Sequence, residues 1–432
     1  MSQFYDVPVI GIDVSADFSI VAILSPNGSI YRKPFKIDHD ADGFNYLLTQ
    51  IEKTEQEFTM KTSLFMEATG IYHLTLFCFL KDNKVNCFVI NPLVTNCNKN
   101  KNIRKVKNDK TDAISIAKIG KYEDVKASDY LDINVYLLKN LCREYFDLVD
   151  ARATLKTKLS SDLRVAFPGY QNVFVDITGN TSLAILEAYS TPQAIVKATK
   201  EDILELLLRS SKKGLDWSRK AYTKLIDASE NALKIGVTSF TLVNKTQRYL
   251  KLLKAYTTEI NSLVSQIKDV LDSDLLTDSF KNSVRLISTI PGVGFITAIT
   301  IACEIGSIDR FKKPKQLTAF FGIDPSVSQS GKFNSSDNKM SKRGTRSGRR
   351  ALYAVALSCV RKKSNGDPIN PVLLEYYQVN LKGKKKKVGL VAIMHKLSKY
   401  IYSVLKNQQP YEVRNPKLHA KMYLENQTRF VA

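Results

Sequence analysis

The order of apolar runs over residues 7–91 limits the fold more than any other feature of this chain. Val7–Asp13 is short and nearly continuously apolar, as a buried strand is. Phe18–Leu24 is a second such run, and Pro26-Asn27-Gly28 after it is a turn, Asn-Gly being the strongest short hairpin signal. Ser29–Ile37 alternates and reads as a third strand. The period then changes. Phe44, Leu47, Leu48 and Ile51 recur at helical spacing, and Ser63–Met66 is a short strand ending at Glu67. Residues 72–80 read as a helix, and Cys87–Asn91 as a strand closed by Pro92.

Three strands in meander, then alternating helices and strands, is the order of a ribonuclease-H-like α/β domain. Four carboxylates fall at telling places in it. Asp13 lies at the C-terminal end of the first strand and Glu67 at the end of the fourth. Asp109 and Asp112 open a helix whose Ala113, Ile116, Ala117 and Gly120 recur at helical spacing. Positions three apart share a helix face, and carboxylates suit a helix N-terminus. If strands one and four are neighbours, all four acids converge. Like charges at that spacing need cations, and two Mg2+ ions would both neutralise them and assist attack on a phosphodiester. Taken singly, each acid is also an ordinary cap or solvated side chain; the order D…E…D-x-x-D carries the signal. Gly11-Ile12-Asp13 equally opens sugar-kinase-like ATPases, but Val14-Ser15-Ala16 follows where those have a Gly-Thr phosphate loop.

Charge points the same way. Across 432 residues, 64 Lys and Arg face 42 Asp and Glu, a net charge of +22. That balance calls for a polyanion, with nucleic acid first among them, and a hydrophobic content of 44% excludes a merely basic tail protein. Lys99, Lys101, Arg104, Lys105 and Lys107 form a basic arm just ahead of Asp109. The cysteines (Cys78, Cys87, Cys97, Cys142, Cys303, Cys359) are scattered and the histidines far apart, so neither a disulfide framework nor a zinc site is expected. Free thiols fit a reducing cytoplasm. The absence of Lys and Arg before Arg32 argues against a signal peptide, and no apolar run is long enough for a membrane span.

In the middle of the chain, Leu138, Leu141, Tyr145, Leu148, Arg152, Leu155 and Leu159 follow 3-4 spacing up to Pro168-Gly169, and so do Leu250, Leu253, Thr257, Ile260, Val264, Ile267 and Leu271. These are two heptad-like helices, forming either an antiparallel hairpin or an intermolecular coiled coil. Residues 182–235 between them are helical, punctuated by Thr191-Pro192 and Gly214, with Trp217 a core residue. Ile287–Gly294 followed by an apolar helix over residues 295–305 has the form of a helix-hairpin-helix, whose Gly292-Val293-Gly294 turn would offer amides to a phosphate. Phe320–Arg350 is rich in Ser, Gly, Lys and Arg and too poor in apolar residues for a core of its own. It is a loop or substrate-facing surface carrying Ser330-Gly331, Lys332, Lys342, Arg343, Arg346, Arg349 and Arg350. A serine hydroxyl attacks only when activated, and this loop supplies charge but no base. Lys382–Lys387 is a basic run, residues 388–405 an amphipathic helix, and the polar tail after Asn407 is expected to be poorly ordered.

Together these stretches resemble the DEDD transposases of the insertion-sequence one-ten family, with the Piv-type DNA invertases as cousins. The motifs are GIDVS at Gly11–Ser15, MEATGIYH at Met66–His73, KNDKTDAISIAK at Lys107–Lys118, IPGVGFITA at Ile290–Ala298, FGIDPSVSQSG at Phe321–Gly331 and SKRGTRSGRRAL at Ser341–Leu352. The resemblance implies a RuvC-like catalytic domain (residues 1–125), a helical coiled-coil linker (126–280), a mainly helical C-terminal transposase domain with a helix-hairpin-helix and a serine loop (281–406), and a tail (407–432). It implies Asp13, Glu67, Asp109 and Asp112 as the acids holding Mg2+, and Ser330 as a covalent nucleophile. It also implies donor and target DNA, a noncoding bridge RNA as guide, and homodimers or homotetramers with composite sites. Two departures stand out: Ala16 replaces a Lys common three residues after the first acid, and Ser326 and Ser328 lie close to Ser330. The competing function is a metal-dependent, structure-specific nuclease of the Holliday-junction type, which would use water in place of serine.

Overall fold

The computed structural model describes residues 2–67, 71–90, 95, 108–123, 133–237, 239–326, 329–330, 333–334, 339–413 and 415–429. The chain divides into two compact units, Met1–Leu131 and Asp132–Ala432.

The first unit contains, in order, β1 (Val9–Val14), β2 (Phe18–Leu24), β3 (Ile30–Asp38), α1 (Ala41–Phe58), β4 (Ser63–Glu67), α2 (His73–Asp82), β5 (Cys87–Ile90) and α3 (Asp109–Tyr122). The turn between β2 and β3 is held by Asn27, whose Oδ1 accepts from the Ser29 amide at 3.0 Å, with Gly28 at φ 85°. The strands form one sheet in the order β3-β2-β1-β4-β5. β1 runs antiparallel to β2 and parallel to β4, with Gly11 opposite Phe65 and Ile12 opposite Met66.

Side-chain alternation splits the sheet into two faces. Ile10, Ile12, Val14, Leu64 and Met66 join Phe44, Leu47 and Ile51 of α1 and Leu76 and Leu80 of α2 in one core. Val9, Leu24, Phe65 and Ile90 pack on the other side with Ile116, Ala117 and Ile119 of α3. Two glycines allow α3 to lie almost in contact with the sheet. A Cβ on Gly11 would stand 2.3 Å from both Ala113 O and Ala117 N, and one on Gly120 would stand 2.3 Å from the Phe65 ring. The end of α3 is fixed by Lys121, which is fully buried and donates from Nζ to Val7 O at 2.8 Å.

The second unit opens with α4 (Ile133–Ala166), continues through α5 (Asn180–Ala188), α6 (Pro192–Lys197), α7 (Lys200–Ser210) and α8 (Leu215–Ile235), and returns along α9 (Phe240–Asp272). Then come α10 (Asp278–Ser288), α11 (Phe295–Ile305), α12 (Pro314–Phe320), β6 (Gln329–Ser330), β7 (Phe333–Asn334), α13 (Arg346–Cys359), α14 (Pro371–Val379), α15 (Lys386–Asn407) and α16 (Pro416–Arg429). Of the two arrangements the heptads allow, α4 and α9 adopt the intrachain one. Asn134 donates to Leu275 O, Arg152 to Thr257 and Lys245 to Asp162, a falling partner number that defines an antiparallel pair.

The seam differs from the sequence expectation. Val135, Leu138, Cys142 and Phe146 are buried first, then Leu159 and Leu163, whereas Leu141, Tyr145, Leu148, Arg152 and Leu155 are only partly buried. The reason is a change of partner along α4. Its first half also faces α11, where Lys139 and Arg143 bind the buried Glu304 carboxylate at 3.0 and 2.9 Å. Its second half joins a core with α5–α9 that includes Leu186, Ile203, Leu225 and Leu250. Trp217 packs at the border of that core, with the Lys213 ammonium 4.7 Å from its ring centre.

The expected disordered tail is a correction. Gln408 leaves α15 at φ 52°, the Tyr411 amide donates to Thr289 Oγ1 at 2.8 Å, and the Tyr411 ring lies 5.2 Å from that of Tyr400. An aromatic anchor inside a polar stretch supplies the burial that its composition conceals. The cysteines described (Cys78, Cys87, Cys142, Cys303, Cys359) are free; Cys97 lies outside the described residues. Among the described residues no helix is long and apolar enough to cross a membrane.

Candidate active site

Three of the four acids are set by strand parity and by the depth of α3. Asp13 has the parity of Val9 and Gly11, and Glu67 that of Phe65, so both belong to the face that α3 covers. β1 and β4 are parallel neighbours, and Asp13 and Glu67 each lie one residue beyond the Ile12–Met66 pair, at the same end of the sheet. α3 presses Ala113 onto Gly11, two residues before Asp13, which leaves the adjacent Asp112 over the same strand end. Asp109 stands a turn earlier on the helix and is exposed; Asp112 and Asp13 are half-buried, and Glu67 is 9% exposed.

Local chemistry explains why the helix starts there. Asn108 caps it, its side chain accepting from the Lys110 amide, and both aspartates occupy the first turn, where the backbone dipole favours anions. The set offers only hard carboxylate oxygens, the donors that Mg2+ prefers, and Glu67 among them is largely buried. Among the described residues, no three His, Cys, Asp or Glu side chains are drawn together tightly enough to hold a metal ion. The acids therefore share an end of the sheet without forming a finished cage. The basic arm (Lys99, Lys101, Arg104, Lys105, Lys107) lies outside the described residues.

In the second unit the described residues of the Ser/Gly/Arg stretch carry backbone pairings. Pro325 bridges Met340, the Ser326 amide and hydroxyl both meet Lys339 O at 2.7 Å, and β6 and β7 pair antiparallel with Ser330 opposite Phe333. These pairings lie along one hairpin, and Ser330 is the last paired residue before its tip. Ser328 and Lys332 lie outside the described residues. Composition alone hid this hairpin because its hydrogen bonds are backbone bonds that polar residues make as readily as apolar ones.

The cations of this region divide into two groups. Lys342, Arg343 and Arg346 are exposed. Arg350 is committed within the protein: it grips Asp150 with both terminal nitrogens, donates to Phe146 O at 3.1 Å and lies 4.5 Å over the Phe146 ring. Arg349 donates to Phe321 O at 3.1 Å and Lys342 O at 3.4 Å; burial, and then the charge of Arg346, lower its pKa.

The glycine turn before α11 also differs from the expected phosphate cradle. Gly292, at φ 100°, is pressed against Cys359, whose Sγ a Cβ there would meet at 2.6 Å. The Val293 amide donates to Ile290 O and the Gly294 amide to Thr297 Oγ1, so both are satisfied inside the turn. Cys359 closes the same turn by donating to Pro291 O, and burial pushes its thiol up to about 12.

A mixed α/β unit with acids at neighbouring strand ends, joined to a basic helical body, marks the class of DNA-processing proteins, and comparison with known sequences narrows it. A family described as "Transposase", with the DEDD transposases of IS110 type as its subject, matches residues 10–168, and "Transposase IS116/IS110/IS902 family" matches residues 284–378. The chain belongs to the IS110 family of transposases. It is 28% identical over 188 residues to the pilin gene-inverting protein of Moraxella bovis, covering 43% of this chain and 52% of that one. It is 26% identical over 174 residues to the transposase for insertion sequence element IS1111A of Coxiella burnetii (39% and 45%). It is 22% identical over 232 residues to an uncharacterized 43.6 kDa protein of insertion element IS110 from Streptomyces coelicolor (54% and 53%). The chain spans about half the length of the curated relatives it matches. Both matched families leave residues 169–283 outside.

Proposed function

We propose that this chain is a Mg2+-dependent DNA recombinase of an insertion sequence, and that its first unit is a ribonuclease-H-like, RuvC-like domain. One observation carries the reading. β1 and β4 are parallel neighbours, and α3 touches β1 backbone to backbone at Gly11, so Asp13, Glu67 and Asp112 belong to one end of one sheet face. Asp13, Glu67, Asp109 and Asp112 would hold the metal ions, which supply charge neutralisation and polarise the phosphodiester when bound.

Ser330 is the nucleophile of this reading. Its Oγ attacks phosphorus, a phosphoserine ester forms, the bond to one sugar oxygen breaks, and that oxygen leaves as a hydroxyl with a proton. Reversal onto a different sugar hydroxyl rejoins strands without ATP, because the ester keeps the bond energy. Two features support the choice of serine. Ser330 is the last paired residue before a hairpin tip, while the Ser326 hydroxyl is spent on Lys339 O at 2.7 Å. Lys342 and Arg343 on the hairpin's other leg and Arg346 on the first turn of α13, with the basic arm, would hold phosphates. The net charge of +22 suits DNA donor and target together with a noncoding guide RNA, on a homodimer or homotetramer of this chain.

A covalent-adduct measurement tests this. The chain is expressed with its native flanking DNA, the cells are denatured, and protein-linked DNA is sought in wild type and Ser330→Ala. Adduct in wild type alone supports serine recombination. DNA cleavage with no adduct in either protein refutes it in favour of a water-using nuclease, and adduct surviving in the variant moves the role to another hydroxyl.

A further inference from the structure

The root of the Ser330 hairpin is pinned at five consecutive carbonyls. Phe320 O accepts from the Thr345 amide, Phe321 O from Arg349, Gly322 O from the Lys342 amide, Ile323 O from His395 Nε2 and Asp324 O from the Ser341 amide. The backbone amides in this set tie the two legs to each other. His395, on α15, and Arg349, on α13, bring side chains to the root from outside it.

Of these two, Arg349 reaches both legs, since its Nη1 donates to Phe321 O on the first and Lys342 O on the second. The backbone is shaped around it. Gly322 sits at φ 64°, and a Cβ there would lie 2.9 Å from Arg349 Nη1, so a side chain at 322 would displace the guanidinium. Gly344 is equally constrained, a Cβ there standing 2.3 Å from Phe320 O. At the outer edge of the root, Ser341 Oγ donates to Asp324 Oδ1 at 2.6 Å.

We propose that Arg349 is a positioning residue: its guanidinium clamps the two legs of the Ser330 hairpin at their root and so aims the hairpin, in place of holding a nucleic-acid phosphate. This rests on the reading of Ser330 as nucleophile. It separates two neighbouring arginines by what they touch. Arg346, exposed on the first turn of α13, is left to meet phosphate, while Arg349 makes the serine's approach reproducible. A hairpin free to swing about its root would still bind but would bring Oγ to phosphorus less often, so the clamp acts on the chemical step and leaves affinity alone.

The test compares full-length wild type, Arg349→Gln and Arg346→Gln. Three quantities are read: the affinity for flanking-end DNA across a KCl series, the single-turnover rate of adduct formation, and hydrogen exchange at the Ser326, Ser341 and Lys342 amides. For Arg349→Gln we expect the wild-type affinity and salt slope, exchange at those amides about tenfold faster, and adduct formation slower by about tenfold or more. Arg346→Gln should do the opposite, reducing the salt slope by about 0.9 with hairpin exchange unchanged. A slope reduced by about 0.9 in Arg349→Gln with unchanged exchange would overturn the proposal and make Arg349 a phosphate contact. Faster exchange with an unaltered adduct rate would overturn it too, because the pose would then not matter. Should Arg349→Gln fail to fold, Ser341→Ala loosens the same root and must show the same pattern in weaker form. If wild type cuts DNA without any adduct, the serine reading fails instead, and exchange and salt slope still decide whether Arg349 is clamp or contact.

Discussion

Gly11→Ala tests the packing that sets the acids. The added methyl would stand 2.3 Å from Ala113 O and from Ala117 N and 2.8 Å from Ala117 Cα. All three are backbone atoms, so no rotamer change relieves the clash. Ordinary contact begins near 3.4 Å, and α3 must therefore retreat from β1 by more than about 1 Å. That retreat opens a gap beneath Ala113, Ile116 and Ala117, all fully buried. Overpacking alone costs about 1–3 kcal/mol, and loss of close packing along the helix puts the expected total at the top of that range. For a unit this size that is a fall on the order of 10 °C in Tm. The assay is thermal unfolding of the full chain, with Gly214→Ser as control. Gly214 caps α8 at an ordinary φ of −73°, has nothing within 4 Å of a Cβ, and gains a better cap from serine. A Gly11→Ala melt within about 2 °C of wild type would refute the argument that α3 rests on bare backbone.

Further outcomes follow from the same geometry. Asp109→Asn should abolish adduct formation and leave nucleic-acid affinity nearly intact, since Asp109 is exposed and supports no packing; full recombination by this variant would sink the four-acid site. Glu304→Gln should destabilise the second unit by about 3 kcal/mol, seen in chemical denaturation, because Lys139 and Arg143 lose a carboxylate only 3% exposed. Alkali should weaken the fold through its buried thiols. Folded Cys87 and Cys359 have pKa values raised by burial to about 11 and about 12, above the ordinary 9.0, so their contribution is complete below pH 9 and is lost between pH 9 and 12. Stability measured against pH should fall through that window, and less steeply in Cys87→Ala. Tyr411→Ala should release residues 409–413 from α15, read as faster proteolysis there with the remaining domain intact.

The first unit was legible because a buried sheet prints its period directly into the sequence. Phe18–Leu24 is a strand with the bounds its apolar run suggested, and the predicted strand ending at Glu67 ends there. The burial of α3 was legible from Ala113, Ile116, Ala117 and Gly120, although the need for Gly11 beneath it was not. A glycine's neighbour across space leaves no mark on the residues beside it. The heptads of α4 were harder. One helix that changes partner along its length shows a composite stripe, and a single seam drawn through it selects Leu141 and Tyr145 where Cys142 and Phe146 are buried. The cationic stretch was legible as charge only. Nothing in the letters of SGRR tells an arginine bound to Asp150 or to Phe321 O from one open to solvent.

The long pair α4 and α9 has a consequence for the length of the chain itself. Its far ends meet: the Val237 amide donates to Val165 O at 3.1 Å. The residues between leave and re-enter the structure at nearly one point, about 50 Å along the helix from where α4 began, at 1.5 Å per residue. The entropy of closing that excursion is small because the helices hold its ends together. Whatever folds there can be enlarged or exchanged without strain reaching Glu304 and its partners at the near end, provided that it still covers Leu159, Leu163, Leu250 and Leu253. The pair is thus a socket, and α5–α8 the fitting this chain happens to carry in it.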